Sequence, residues 1–224
     1  MHKKSLTETD IRSKFITPAL LGAQGEKWHL LTQIREEVYF TRGRVIVRGK
    51  TVKRGEAKKA DYILSYKPNL PLAIVEAKDN NHSVGAGMQQ ALDYAEILDI
   101  PFAYSTNGDA FLEHDRTKTS GTITREFPLE QFPTPDELWT RYRAAKGFTA
   151  AQEAITTQDY YDDGTRRSPR YYQQIAINRT VRRSRAARTA FCWLWQPAPA
   201  RPTRLFRSSG ACGSRVRKSE SCFW

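Results

Sequence analysis

The chain has 224 residues with 39% hydrophobic content, enough for one domain with a real core plus an appendage. No stretch approaches the roughly 20 apolar residues that span a bilayer, and the basic start MHKKSLTETDIRSKF lacks the apolar run of a secretory signal, so the expectation is a cytoplasmic protein without a membrane segment. The formal charge of +12 is unevenly placed: residues 1–181 hold 26 Lys and Arg against 23 Asp and Glu, a net of +3, whereas residues 182–224 hold 10 against Glu220 alone, a net of +9. Whole-chain charge therefore says little about the folded body.

In chain order, Ser5 to Leu21 predicts a helix capped by Thr7 or Ser5, with Ile11, Phe15, Ile16, Leu20 and Leu21 near helical spacing and a kink or break at Pro18. Glu37–Phe40 and Arg44–Arg48 read as two strands joined by Thr41-Arg42-Gly43, and Lys50 to Lys59 as a charged, glycine-containing loop. That loop either tracks phosphates or is solvated surface. A strand opens at Asp61, a polar turn follows at Lys67-Pro68-Asn69, and Leu72–Lys78 begins as the continuous apolar run of a strand buried on both faces, then ends in charge. Val84 to Leu98 predicts a helix with Met88, Ala91, Leu92, Ala95 and Leu98 on its apolar side. Phe102–Thr106 and Ala110–Glu113 form a hairpin about Asn107-Gly108, and Pro135 to Lys146 is a further helix. The order of elements predicts an α/β fold with a mixed sheet flanked by helices.

The chemistry lies in a D-x14-E-x-K pattern. Glu76 and Lys78 are two apart on a strand, so their side chains leave the same face. A hairpin brings Asp61 beside the end of that strand, where two acids share one hard cation such as Mg2+. Such an ion polarises a phosphate and lowers the pKa of an attacking water, while Lys78 orients that water or stabilises charge developing on phosphorus. The bland alternative is a solvated Glu–Lys pair at a strand end. Against it, a buried apolar strand ending in Glu-Ala-Lys aims charge at the edge of a core, which costs energy unless the charge is paired or used. His2, His29, His82 and His114 show no metal-ligand spacing to one another.

The run A-D-Y-I-L-x11-E-A-K-D, followed by Gln90-Ala-Leu-Asp-Tyr94, resembles the N-terminal nuclease domain of the type I restriction endonuclease R subunit, a member of the P-D…(D/E)-x-K nuclease superfamily. T-E-T-D-I-R-x-K-F-I-T-P-A-L near the start and Arg-Glu-Glu-Val-Tyr-Phe resemble the same family, and the match covers about 180 residues. The resemblance implies a restriction-endonuclease-like core over residues 1–150, with Asp61 and Glu76 as metal ligands and Lys78 as the catalytic lysine. Gln90 and Tyr94, one helical turn apart, would support the site or contact DNA, and Glu8 on the first helix is a further possible acid, although a Glu in the first turn also suits the helix dipole. Ala60 stands where the general motif has proline. The implied partners are double-stranded DNA and the methyltransferase and specificity subunits that choose the DNA site.

Residues 151–181 read as a linker and the start of an ATP-driven motor, where the resemblance gives Gln173 an adenine contact in the intact family. No phosphate-binding loop follows. Residues 182–224 turn Arg-, Pro- and Ser-rich without a hydrophobic period, and are expected to be a disordered tail. Shifting the reading frame, so that each third base joins the next codon's first two, lets residues 191–203 encode I-L-L-V-M-A-T-G-T-G-K-T-Y, a strand and Walker-type loop. The expectation is thus an out-of-frame tail and a lost motor, with no ATP bound by this chain. It leaves two functions open: a Mg2+-dependent endonuclease, or an inert truncated remnant that binds DNA or partner subunits.

Overall fold

The computed structural model describes residues 3–41, 45–48, 51–54, 57–159, 169–183, 192–195 and 203–206. A six-stranded mixed sheet forms the centre, in the order β1 (Ile34–Thr41), β4 (Ala57–Lys67), β5 (Leu70–Ala77), β6 (Phe102–Thr106), β7 (Ala110–Asp115), β8 (Thr124–Pro128). Only β5 and β6 run parallel; the other neighbours are antiparallel. Parallel neighbours need a crossover, and α3 (Met88–Leu98) supplies it. β5 is the most deeply buried long strand, as its apolar run predicts.

The opening helix is three pieces. Thr7 caps α1 (Glu8–Ile11) in a reciprocal box with Asp10. Pro18 has no amide hydrogen for the α-helical ladder, and just before it the chain widens into a π-helical turn over Arg12–Ile16, with the Thr17 amide reaching back to the Arg12 carbonyl. α2 (Thr17–Leu21) then resumes. The expected kink at Pro18 is this π turn. α4 (Pro135–Lys146) has the predicted bounds, with a Thr134–Glu137 capping box and Gly147 closing it at φ 60°.

Helices cover both faces. Ile11, Ile16 and Leu20 pack with Tyr62, Phe102, Tyr104, Phe111, Phe132, Trp139 and Tyr142 in the larger cluster, and Ala91, Ala95 and Leu98 of α3 pack with Phe40, Ala60, Ile74 and Ala103 in the other. Tyr171 and Ile175 of α6 (Tyr171–Arg183) rest against the second cluster.

Several sequence expectations are corrected. The strands before and after Thr41-Arg42-Gly43 do not pair: β1 pairs β4, and β2 (Val45–Arg48) pairs β3 (Thr51–Arg54). The Lys50–Lys59 segment is not a loop, for it holds β3 and the start of β4. Asp61 sits inside the eleven-residue β4 rather than at its start, and α3 begins at Met88, after turns, rather than at Val84. β8 and α5 (Ala150–Thr156) were not anticipated. In the segment expected to be disordered, α6 continues to Arg183, and Cys192–Trp195 pairs antiparallel with Thr203–Phe206 as β9 and β10; the remainder of 182–224 lies outside the described residues. Among the described residues no helix is long and apolar enough to cross a membrane.

Two features anchor the far side of the sheet. Gly108 adopts φ 83° in the β6–β7 turn, and a Cβ there would sit 2.7 Å from Ile11 Cγ2, so the turn seats directly on α1. Lys3 Nζ bonds the Gly108 carbonyl and Asp109, tying the chain's beginning to the same turn. Deeper in, Glu113 accepts from Arg141, Arg125 and the Tyr104 hydroxyl, and Arg141 also reaches Asp115. Burial alone would raise the Glu113 carboxyl, but these donors outweigh it and hold the group below its ordinary 4.5. A carboxylate depressed in the folded state adds stability above its unfolded pKa and loses it as pH falls through the folded one. Arg141→Ala takes from two buried acids the cation they share, leaving Glu113 to Arg125 and Tyr104 and Asp115 to Thr117 and Lys118, and should cost about 3 kcal/mol at neutral pH. Urea unfolding should show that deficit at pH 7 and a gap between variant and parent that shrinks as pH falls through the lowered Glu113 value.

Candidate active site

Asp61 and Glu76 stand on the antiparallel neighbours β4 and β5, just past the last recorded pair Tyr62↔Val75. Both are buried, Glu76 completely and Asp61 to 6% exposure. The backbone interlocks them: the Ala77 amide donates to Asp61 Oδ2 at 2.8 Å, and the Asp61 amide donates weakly to Glu76 Oε1 at 3.4 Å. Burial, and then the negative charge of Asp61, push the Glu76 carboxyl up to about 8.

Lys78 leaves the end of β5 with its ammonium 3.5 Å from Gln90 Oε1 and 4.0 Å from Glu8 Oε2. Gln90, in the first turn of α3, donates to Glu76 Oε2 at 2.7 Å and to the Tyr94 hydroxyl at 3.2 Å. Five sequence-nominated residues, Asp61, Glu76, Lys78, Gln90 and Tyr94, are thus joined at one end of the sheet, and Glu8 comes in beside Lys78 from α1. Gln173 is elsewhere in this network of contacts: its side-chain oxygen accepts from the Arg170 amide at 2.7 Å and helps open α6.

Gly87 makes the α3 contact possible. A Cβ there would lie 3.0 Å from Ser105 Oγ and 3.2 Å from Glu76 Cβ. Ser105 is tethered, donating to the Val84 carbonyl and accepting from the Gly87 amide.

Two further residues were missed by sequence reasoning. Arg12, buried in the π turn, places NH1 3.0 Å from Glu37 and 3.8 Å from Asp61 Oδ1, with its guanidinium 5.0 Å from the Tyr62 ring centroid. Burial alone would lower its pKa, but Tyr62 and Glu37 hold it above the ordinary value, so it is a permanent cation. Glu37 takes the left-handed conformation at φ 51°, and Lys59 also bonds it at 3.1 Å. That conformation coincides with a change of facing. Ile34 belongs to the cluster under α1 and α2, whereas Phe40, the same parity along β1, belongs to the cluster under α3. β4 switches likewise between Ala60 and Tyr62. A single positive φ in β1 leaves no pattern in residue types, which is why it was not foreseen.

Among the described residues no group of three or more His, Cys, Asp or Glu is arranged to hold a metal ion. The Asp61–Glu76 pair nonetheless suits a hard divalent cation. Its donors are all oxygen, and burial together with the neighbouring Asp61 charge disfavours a second bare carboxylate there. Mg2+ commonly takes one or two carboxylates, with waters and substrate phosphate completing its shell.

A mixed sheet with an acid on one strand facing an acid-x-lysine on the next, flanked by helices on both faces, is the α/β arrangement of a restriction-endonuclease-like core. Comparison with known proteins gives the family. The chain is 48% identical over 182 residues, 81% of its length, to the Type I restriction enzyme EcoAI endonuclease subunit of Escherichia coli, and spans 22% of that subunit. A solved fragment assigned to the HsdR subunit of a type I restriction enzyme from Vibrio vulnificus YJ016 superposes with a TM-score of 0.65 at 42% identity, covering 83% of this chain and 34% of that one. No family model matches. The chain is a homologue of the endonuclease subunits of type I restriction enzymes.

Gly87→Ala tests how tightly the helix start is set against the strand. Neither Ser105 nor the Glu76 backbone can yield, so the substitution should destabilise the fold by about 1–3 kcal/mol, read as a lower urea midpoint with unchanged slope.

Proposed function

We propose that this chain carries the Mg2+-dependent endonuclease domain of a type I restriction-modification system and hydrolyses phosphodiester bonds in duplex DNA. The observation that supports this most is the meeting of Asp61 and Glu76 across adjacent strands, with the Lys78 ammonium beside them. Asp61 and Glu76 would hold the ion, whose chemistry is to polarise a phosphate oxygen and acidify an attacking water. Asp61 is oriented for this by the Ala77 amide and Glu76 by Gln90. Lys78, partly exposed and flanked by Gln90 and Glu8, presents a positive charge at the mouth of the site, where it can align the water or stabilise charge developing on phosphorus. Gln90 keeps its amide nitrogen on Glu76 and Tyr94 and its oxygen toward Lys78, so one side chain sets the orientation of three others.

In the complete enzyme we propose that an ATP-driven motor delivers DNA to this site, that Gln173 lies near bound adenine, and that methyltransferase and specificity subunits choose the sequence, all in the cytoplasm. This chain is proposed to need Mg2+ alone for cleavage, with no ATP bound.

Supercoiled plasmid incubated with the chain and Mg2+ should be nicked. Asp61→Ala, Glu76→Ala and Lys78→Ala should each lower the rate by at least about 100-fold, roughly 2.7 kcal/mol or more of barrier. Gln90→Ala should lower it less, since Gln90 acts through Glu76. Absence of nicking by the parent chain would leave an inert remnant limited to binding DNA or partner subunits.

A further inference from the structure

An acidic site repels a polyanionic substrate unless positive charge stands nearby. Residues 42–59 contain eight Lys and Arg against Glu56, a net of +7; the rest of residues 1–181 holds 18 against 22, a net of −4. The net positive charge of residues 1–181 therefore comes from one segment, whose described parts are strands. β2 and β3 make an antiparallel ribbon, in register from Val45↔Arg54 to Arg48↔Thr51. It is inserted between β1 and β4, whose ladder continues to Thr41↔Ala57.

The position of that root matters. The β4–β5 ladder ends at Tyr62↔Val75, whereas the four residues from Ala57 to Ala60 pair with β1, so β4 continues past its ladder with β5. The extension carries the ribbon at the end of the sheet where Glu76 and Lys78 lie. At its base Lys58 Nζ stands 5.1 Å from the Tyr94 ring centroid, and the Tyr94 hydroxyl bonds Gln90, which bonds Glu76. The base of the cationic segment is thus two side chains from the carboxylates.

We propose that the β2–β3 ribbon is a duplex-DNA clamp, which holds the substrate by its phosphates across the Asp61–Glu76 site. The proposal rests on the nuclease reading and adds to it the element that grips DNA. A two-stranded ribbon fits the roughly 12 Å width of the major groove. Contacts to phosphate fix register without reading sequence, which suits a site whose target is chosen elsewhere. The cationic residues 182–224 add a constant background of non-specific affinity in the full chain.

The experiment is fluorescence anisotropy of a labelled 30-base-pair duplex with the full chain, in Ca2+ instead of Mg2+ so that binding is read without cleavage. Arg48, Lys53 and Arg54 are changed together to Gln, and in a second variant Arg48 and Arg54 are changed to Lys. Loss of three phosphate contacts should flatten the slope of log affinity against log salt by about 2–3 and weaken binding at least tenfold at 0.1 M salt. The Lys variant should keep the parent slope. An unchanged slope in the Gln variant would overturn the clamp and leave the ribbon to a protein partner; an equal loss in the Lys variant would overturn it as well, as a folding effect. Failure of the nuclease reading shows separately, as a parent chain that binds DNA in Ca2+ and never nicks it in Mg2+.

Discussion

Two carboxylates side by side in a protein interior are an arrangement that folding resists. Asp61 and Glu76 are held in it because their backbones belong to adjacent strands of the central ladder, and because the amides of Ala77 and Asp61 donate into the pair. The sheet's hydrogen bonding and its apolar layers on either side outweigh the repulsion. The remaining energetic cost appears as the raised Glu76 carboxyl. In the proposed function a divalent cation between the two acids would offset that cost.

The surrounding residues follow from that constraint. Helix α3 can donate Gln90 to Glu76 only because Gly87 lets its first turn approach the strand, and Arg12 approaches Asp61 from the opposite side because the π turn carries it inward. Glu37 accepts from Arg12 in a conformation most residues avoid, at the level where β1 and β4 exchange the face they turn toward each helix layer. Beyond that level β4 continues past its ladder with β5 and follows the β2–β3 ribbon in the chain.

Much of this was legible in residue order. The apolar strand leading into Glu76, the Asn107-Gly108 turn and the start of α4 at Pro135 are local signals with local causes, and the structure has each of them, with Lys78 one residue past the end of β5. Gln90 and Tyr94 at one-turn spacing were likewise readable, although their convergence on the acids came from the family resemblance and not from periodicity. What escaped was non-local. The pairing of β1 with β4 across an inserted ribbon looks in sequence like a simple hairpin between neighbouring strands, and the charged composition of residues 50–59 hides strand pairing behind the look of a loop. Arg12 gives no sign of its role, since an arginine in an amphipathic helix is ordinarily solvated and only the widened turn brings it inside.

The Gly108 turn has a practical corollary. It clasps both Ile11 and the Lys3 ammonium, so the helix bearing Glu8 is braced from its far side by the hairpin and at its start by the third residue of the chain. A change at Lys3 or Gly108 therefore reaches Glu8, and through it Lys78, without touching Asp61 or Glu76.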